Sequence, residues 1–369
     1  MGTQTGTGRE SGALIAGLAH GFMASQVLRA AARLSLAELL SDRALTSAEL
    51  SEECGTHPQA THRLCRALVA LGLLAEEGAG RFTLTEAGAL LRTDRPDSLH
   101  ALVCMLTDPT TVAAWQGLEE SVRSGEPHFS KEFGQEFFDY LGTQPHLSAQ
   151  FNAAMSQNTR RMAGLVARHH DFGQYGTVVD IGGGDGTLLA EVLRAHPSVK
   201  GILFDVPAAL ADAARTFEDA RIGARGVLEP GDFFTAVTPG GDLYVLKSVL
   251  HDWNDEQCLT ILRHCRQAMT DTGRLLVVER VLPDRATEGE DDLMFLSDLN
   301  MMVKVGGRER TRADFDALLS EAGFRLRGIT PLPRPQQFSL VEAEAAPLTG
   351  DVPVARGGAR TPDHAPAAG

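Results

Sequence analysis

The sequence predicts an α/β protein: a doubly wound, mostly parallel sheet ending in an antiparallel hairpin, preceded by a mainly helical domain with a winged-helix-like segment. Three observations predict it. The texture of the chain changes near residue 175, from Ala- and Leu-rich stretches at helical spacing to short β-branched runs alternating with amphipathic ones, and that alternation marks a parallel sheet covered by helices. One such run, VVDIGGGDGTLL (178–189), passes straight from a strand into a glycine-rich turn and a helix. At 369 residues the chain is long enough for two domains.

Taken in order, residues 1–12 (MGTQTGTGRESG) are polar and read as disordered, with no basic start before an apolar run of the kind a secretory leader needs. Residues 13–170 form the helical domain. Its apolar stretch 13–40 is broken by His20, Arg29 and Arg33, which makes it too interrupted to span a bilayer. Within 37–92, Thr46 and Glu49 have the spacing of a capping box. A second helix follows Pro58, and a turn at 77–80 with RFTLT completes a helix-turn-helix with a β wing. From 171 to 345 the candidate strands are TVVDIG, VKGILFDV, DLYVLKSVL and RLLVVERVL, with helices opening at Thr187, Ala208, Asn254 and Asp291. FRLRGITPL and QQFSLVEA lack an intervening helix and so form a hairpin turning at 331–335, before a Pro- and Gly-rich tail, 346–369, that reads as disordered.

Composition narrows the function. With 34 basic and 48 acidic residues the net charge is −14, the wrong sign for gripping nucleic acid or an anionic membrane. The wing segment 37–92 carries five arginines and no lysine against eight acidic residues, so it reads as a packing or dimerisation module rather than a DNA reader. Five scattered cysteines without CxxC spacing argue against disulfides or structural zinc and fit a reducing, cytoplasmic setting. The histidines form no metal-ligand pattern, so no metal is expected.

The glycine loop lets the backbone turn sharply and approach a ligand that a Cβ would exclude. A dinucleotide fingerprint starting at Gly182 and Gly184 would need Gly or Ala at 187, where Thr187 stands. A GxGxG headed by Asp180 suits S-adenosylmethionine better than a nicotinamide. Asp205 ends the second strand and can accept both ribose hydroxyls, and GDFF places Asp232 and Phe233 to hold an adenine and stack on it. Taken singly, each aspartate serves equally well as a helix cap or a solvated loop residue. Acids and a glycine loop at successive strand ends are a stronger signal than any one of them.

From 178 to 311, the ordered set VVDIGGGDG, FDVP, GDFF, LKSVLHDWNDEQC, VVERVLP and GGRERT resembles the S-adenosylmethionine-dependent small-molecule O-methyltransferases, which include plant caffeate and flavonoid enzymes and bacterial polyketide-tailoring enzymes. With the helical half and its FNAAMS segment (151–156), the resemblance spans about residues 13–345. It implies a Rossmann-like class I methyltransferase sheet, a homodimer, a small aromatic or polyketide acceptor and S-adenosylhomocysteine as product. It assigns His251 as catalytic base, flanked by Glu279 and Glu309, either of which would fix the imidazole. Asp180, Gly182, Gly184, Asp205, Asp232, Phe233 and Lys247 are implied cofactor contacts, and Phe151, Met155, Asn158 and Met301 an acceptor lining. Asn158 departs from the histidine that plant members often carry, and Lys304 lies in a segment shorter than theirs, so plant phenylpropanoid specificity does not transfer.

The chemistry fits these roles. A phenol with pKa near 10 holds little anion at neutral pH, so a base helps, and in-line transfer needs the acceptor oxygen held against the methyl. Other readings stay open at this level. A histidine after a strand is often a structural residue, and methionines at helical spacing (Met155, Met162, Met294, Met301, Met302) are often plain core. Some relatives bind the same cofactor yet hydroxylate, decarboxylate or run pericyclic reactions. A ligand-sensing regulator with its wing on DNA is a third class, opposed by the charge of the wing segment.

Overall fold

A 29-residue helix, Thr5–Arg33, opens the chain in the computed structural model, which describes residues 5–78, 80–288, 292–334 and 336–346. Residues 5–12 are therefore helical rather than disordered. Once the apolar stretch behind them has nucleated a helix, each further residue adds a hydrogen bond at little cost. Residues 1–4 and the tail beyond 346 lie outside the described residues. The expectation for 13–40 also changes. Ser11–Arg33, with mean hydropathy 1.2, is long and apolar enough to cross a membrane by length and composition, because Arg29 and Arg33 fall in its last turns. Those turns dock inward: Ala31 and Ala32 are buried and Arg29 donates to the Cys104 carbonyl at 3.1 Å. The earlier turns leave Leu14, Ile15, Leu18, Phe22 and Met23 exposed.

The wing segment forms as expected. Thr46 and Glu49 make a reciprocal capping box on the helix Ser47–Cys54, and the helix Pro58–Ala70 follows. Strands β1 (Leu45–Thr46), β2 (Leu74–Glu77) and β3 (Arg81–Leu84) pair antiparallel in the order β1-β3-β2. Leu50, Cys65, Leu68 and Phe82 fill its core.

The large sheet takes β4 (Thr177–Ile181), β5 (Lys200–Asp205), β6 (Gly226–Pro230), β7 (Leu243–Lys247) and β8 (Arg274–Glu279). The expected strand RLLVVERVL breaks at Arg280, and its end, β9 (Val281–Leu282), pairs instead with β10 (Arg310–Thr311). The hairpin is β11 (Phe324–Pro331) and β12 (Ser339–Ala345). The seven-stranded order is β11-β12-β8-β7-β4-β5-β6, parallel from β6 to β8 and antiparallel at β12 and β11. Successive side chains alternate between two cores. Val178, Leu243 and Val245 meet the helices Pro145–His169 and Thr187–Ala195, while Val179, Tyr244 and Leu246 meet Asp255–Ala268 and Arg312–Glu321. This alternation aims Asp180 and Lys247 at the first layer of helices and Glu279 at the second.

Candidate active site

Ligands of open α/β sheets bind beyond the carboxyl ends of the strands, and β4, β5, β7 and β8 end at Asp180, Asp205, Lys247 and Glu279 or within a residue of them. Gly182, Gly184 and Gly186 take positive φ values of 67°, 60° and 75°, which L-residues with a Cβ adopt only with strain. A Cβ on Gly183 would lie 2.6 Å from the Asp180 carboxylate, so the loop folds directly over that side chain. A Cβ on Gly184 would meet nothing within 4 Å, which leaves an open cradle at the tip of the loop.

Asp180 lies under this loop with both carboxylate oxygens buried and without a hydrogen-bond partner. Burial pushes its carboxyl up to about 7, although Lys247 pulls the other way. Lys247 is itself depressed by burial and donates to Thr159 Oγ1 at 2.8 Å. Thr159 sits one helical turn past Met155, so this contact seats the face of Pro145–His169 that carries Phe151, Met155 and Asn158 against the end of β7. Ser156 on the same helix donates to Asp185 of the loop. Asp205 accepts from the Gly184 N–H at 2.8 Å and from the Val206 N–H at 2.7 Å, and each oxygen keeps a lone pair for a further donor. Asp232 is exposed and caps its own turn through the Phe234 N–H. The Phe233 ring would stand 3.5 Å from a Cβ on Gly182, which brings the GDFF turn beside the glycine loop. Orphaned carboxylate oxygens, an open glycine turn and spare acceptors at Asp205 form a donor set and shape that fit S-adenosylmethionine.

His251 sits on the short turn Leu250–Asp252 just beyond β7 and is buried. Ser248 brings it there with φ 53°, left-handed although it is not glycine, a conformation costing on the order of 1–3 kcal/mol. Glu279 secures the bend: its Oε1 accepts the Val249 N–H at 3.1 Å and the His251 N–H at 3.2 Å. Glu279 therefore holds the backbone under the histidine and not its ring, contrary to the expected role for either carboxylate, because its oxygen is taken by two backbone donors. The ring belongs to Glu309, whose Oε1 stands 3.2 Å from His251 Nδ1. The tautomer that donates Nδ1–H to Glu309 leaves Nε2 free to accept a proton.

Glu309 is fixed in turn. It accepts from Ser297 Oγ at 2.8 Å and Arg280 at 3.5 Å, and its backbone N–H donates to Asp298 at 2.9 Å. Burial opposes its charge, but His251 and Arg280 outweigh burial and hold its carboxyl below the ordinary range. For His251, burial disfavours the imidazolium, yet Asp252 and Glu309 raise it to about 9. Asp252 Oδ1 lies 3.6 Å from Nε2.

Gly307 explains how Glu309 reaches the ring. A Cβ there would stand 2.1 Å from the His251 carbonyl oxygen, so only glycine lets this strand of backbone pass against the histidine turn.

An aromatic wall closes the other side. Phe151 meets Phe137 at 5.6 Å and Phe138 at 6.1 Å, and Phe138 meets Trp253 at 5.4 Å. Asn300 accepts from the Trp115 indole at 2.9 Å, and Met301 follows it, half-buried. Asp298 and Asn300 thus both find partners at the site, and no motif announces the roles of Thr159, Ser297, Arg280 or Asp252. The nearest to a local signal is Asp252, adjacent to His251 in LHDW. Among the described residues no group of His, Cys, Asp or Glu is placed to hold a metal ion.

Comparison with known proteins agrees with this geometry. Residues 115–325 match the model of an O-methyltransferase domain and 16–94 that of an O-methyltransferase dimerisation domain. The chain is 50 % identical over 328 residues to O-demethylpuromycin-O-methyltransferase of Streptomyces alboniger, covering 88 % of this chain and 87 % of that protein. The solved mitomycin 7-O-methyltransferase superposes with TM-score 0.85 at 32 % identity, over 92 % of this chain and all of the other. An O-methyltransferase from neocarzinostatin biosynthesis, solved with S-adenosylmethionine and 2-hydroxy-5-methyl naphthoic acid, gives TM-score 0.75 at 33 % identity, over 87 % and 95 % of the two chains. A matched catalytic domain, a matched dimerisation domain and relatives that share nearly its full length place this chain in the O-methyltransferase family.

Proposed function

We propose that the chain is an S-adenosylmethionine-dependent O-methyltransferase that modifies a phenolic or enolic hydroxyl of an aromatic natural product, with His251 as general base. The observation that carries this reading is the buried His251–Glu309 pair, 3.2 Å apart, two residues from Trp253 of the aromatic wall. Asp180, Gly182, Gly184, Asp205, Asp232, Phe233 and Lys247 would hold the cofactor, which supplies an electrophilic methyl group when bound. Phe151, Met155, Asn158 and Met301 would line the acceptor site, consistent with the aromatic acceptors in the names of its relatives.

The residues divide the work. The aromatic wall holds the acceptor ring flat and keeps water away. Nε2 of His251 takes the hydroxyl proton as the oxygen gains nucleophilic character. Glu309 accepts the Nδ1–H and stabilises the imidazolium that results. A base raised to about 9 lies close in proton affinity to a phenol of pKa near 10 and acts in its neutral form, so turnover rises with pH toward about 9. No step draws on a metal ion.

The exposed apolar face of Thr5–Arg33 would be covered by a second copy of the chain, an arrangement the matched dimerisation domain supports. Covering that face in a homodimer accounts for it without a membrane, and five free cysteines suit a cytoplasmic enzyme. Replacing His251 with alanine lowers turnover by about tenfold or more and leaves S-adenosylhomocysteine affinity unchanged. Turnover that survives intact removes His251 as the base.

A further inference from the structure

Lys304 ends the helix Asp292–Lys304 and is only 4 % exposed, a burial lysine almost never shows unless paired. Its ammonium stands 4.2 Å over the Phe137 ring. Asp252 and Asp108 attract it, yet neither forms an ion pair with it, and among the described residues it makes no hydrogen bond. An ammonium carries three donors and no acceptor. The Phe137 face satisfies one side of it electrostatically, and its Nζ is not among the enclosed polar atoms that lack a partner, so the tip of the ammonium keeps access to open space beside the ring.

Its position is equally specific. Phe137 packs on Phe151 and Phe138, and Phe138 packs on Trp253, so the wall beneath the ammonium runs to within two residues of His251. Asp252 links the two ends, attracting Lys304 while standing 3.6 Å from His251 Nε2. The ammonium thus belongs to the aromatic cluster that carries Phe151, a residue of the proposed acceptor lining. Despite burial, which pulls it down to about 8, it stays mostly charged at neutral pH.

We propose that Lys304 is an acceptor-recognition residue, and that the acceptor of this enzyme bears an acyl oxygen, ketone or carboxylate, on the ring whose hydroxyl faces His251. The oxygen supplies the partner that the ammonium lacks, and the pairing fixes which edge of the ring turns toward the base. Asp252 leaves the site close to neutral, so a ketone oxygen is bound as well as a carboxylate. The inference rests on reading this aromatic cluster as the acceptor site.

The test is calorimetric binding of 1-naphthol, 1-hydroxy-2-acetonaphthone and 1-hydroxy-2-naphthoate to the full-length protein saturated with S-adenosylhomocysteine. Wild type binds at least one of the two acyl compounds about tenfold or more tightly than 1-naphthol, the increment expected of a charge-assisted hydrogen bond. The ketone and carboxylate arms show which oxygen it accepts. Lys304→Met abolishes the preference while leaving 1-naphthol binding within about threefold, and Lys304→Arg restores part of it. Lys304→Met also melts no lower than wild type, because the lysine makes no ion pair whose loss would cost stability. Equal binding of the three compounds by wild type, binding of none of them, a preference that survives in Lys304→Met, or a lowered melting temperature that accounts for the loss would each overturn the proposal. Binding needs no turnover, so formation of S-adenosylhomocysteine from S-adenosylmethionine with the same compounds tests the methyltransferase reading separately.

Discussion

Replacing Glu309 with glutamine keeps the shape of the side chain and its acceptor oxygen but removes the charge beside His251 Nδ1. A hydrogen bond to a charged group contributes about 1.5–3 kcal/mol against about 1 kcal/mol for a neutral one. The difference, roughly 0.5–2 kcal/mol, corresponds to about one pKa unit of the imidazole. His251 therefore moves from about 9 toward about 8. It does not return to its ordinary 6.5, because Asp252 still attracts the imidazolium. Two consequences have opposite signs. The neutral base becomes available at lower pH, so the acid limb of turnover shifts down by about one unit. The plateau above that limb falls about tenfold, because the imidazolium formed in the transition state loses its countercharge. The direct assay is an NMR titration of ¹³C-labelled histidine in the S-adenosylhomocysteine complex, with the His251 signal assigned by its loss in His251→Ala. A His251 titration unmoved by Glu309→Gln would refute the pairing.

Three further expectations follow from particular contacts. Gly307→Ala drives a Cβ into the His251 carbonyl and the Trp253 nitrogen, where backbone on both sides must shift. The cost is about 1–3 kcal/mol, read as a lowered melting temperature with turnover falling further than folding alone explains. Leu18→Glu combined with Phe22→Glu charges the exposed face of Thr5–Arg33. Light scattering then finds monomer where wild type is dimeric, and an unchanged mass would place the dimer interface elsewhere. Stability also carries a pH signature. His251 has a folded pKa of about 9, above its ordinary 6.5, so its contribution to stability is complete below pH 6.5 and is lost as pH rises through about 9. Denaturant titrations of His251→Gln should lack that slope, and parallel profiles would contradict the raised value.

Much of the fold was legible because its signals are local. Thr46 and Glu49 announce their cap by spacing alone, and the glycine loop announces a strand, a turn and a helix in one run. The third parallel strand, Gly226–Pro230, is implied by the GDFF motif that follows it but carries no signal of its own. It lies at the sheet edge with little of its length buried, so it carries no continuous apolar run. Leu293 and Leu296 make Asp292–Lys304 look like core, yet both are exposed. The site divides in the same way. His251, Glu309 and the strand-end acids could be picked out by motif, but the partition of labour between the two glutamates could not. It depends on Ser248 turning left-handed and on Gly307 passing under the histidine, contacts between segments about sixty residues apart. Lys304 likewise reads as a surface charge at a helix end, and only the packing of Phe137 against Phe151 reveals it as buried.

The most direct measurement of the central claim incubates the purified protein with methyl-labelled S-adenosylmethionine and small aromatic hydroxy compounds, and follows both products by mass spectrometry. The account predicts an oxygen-linked product carrying the labelled methyl, with one S-adenosylhomocysteine formed per product and both lost together in His251→Ala. A product formed without label, or without S-adenosylhomocysteine, would contradict it.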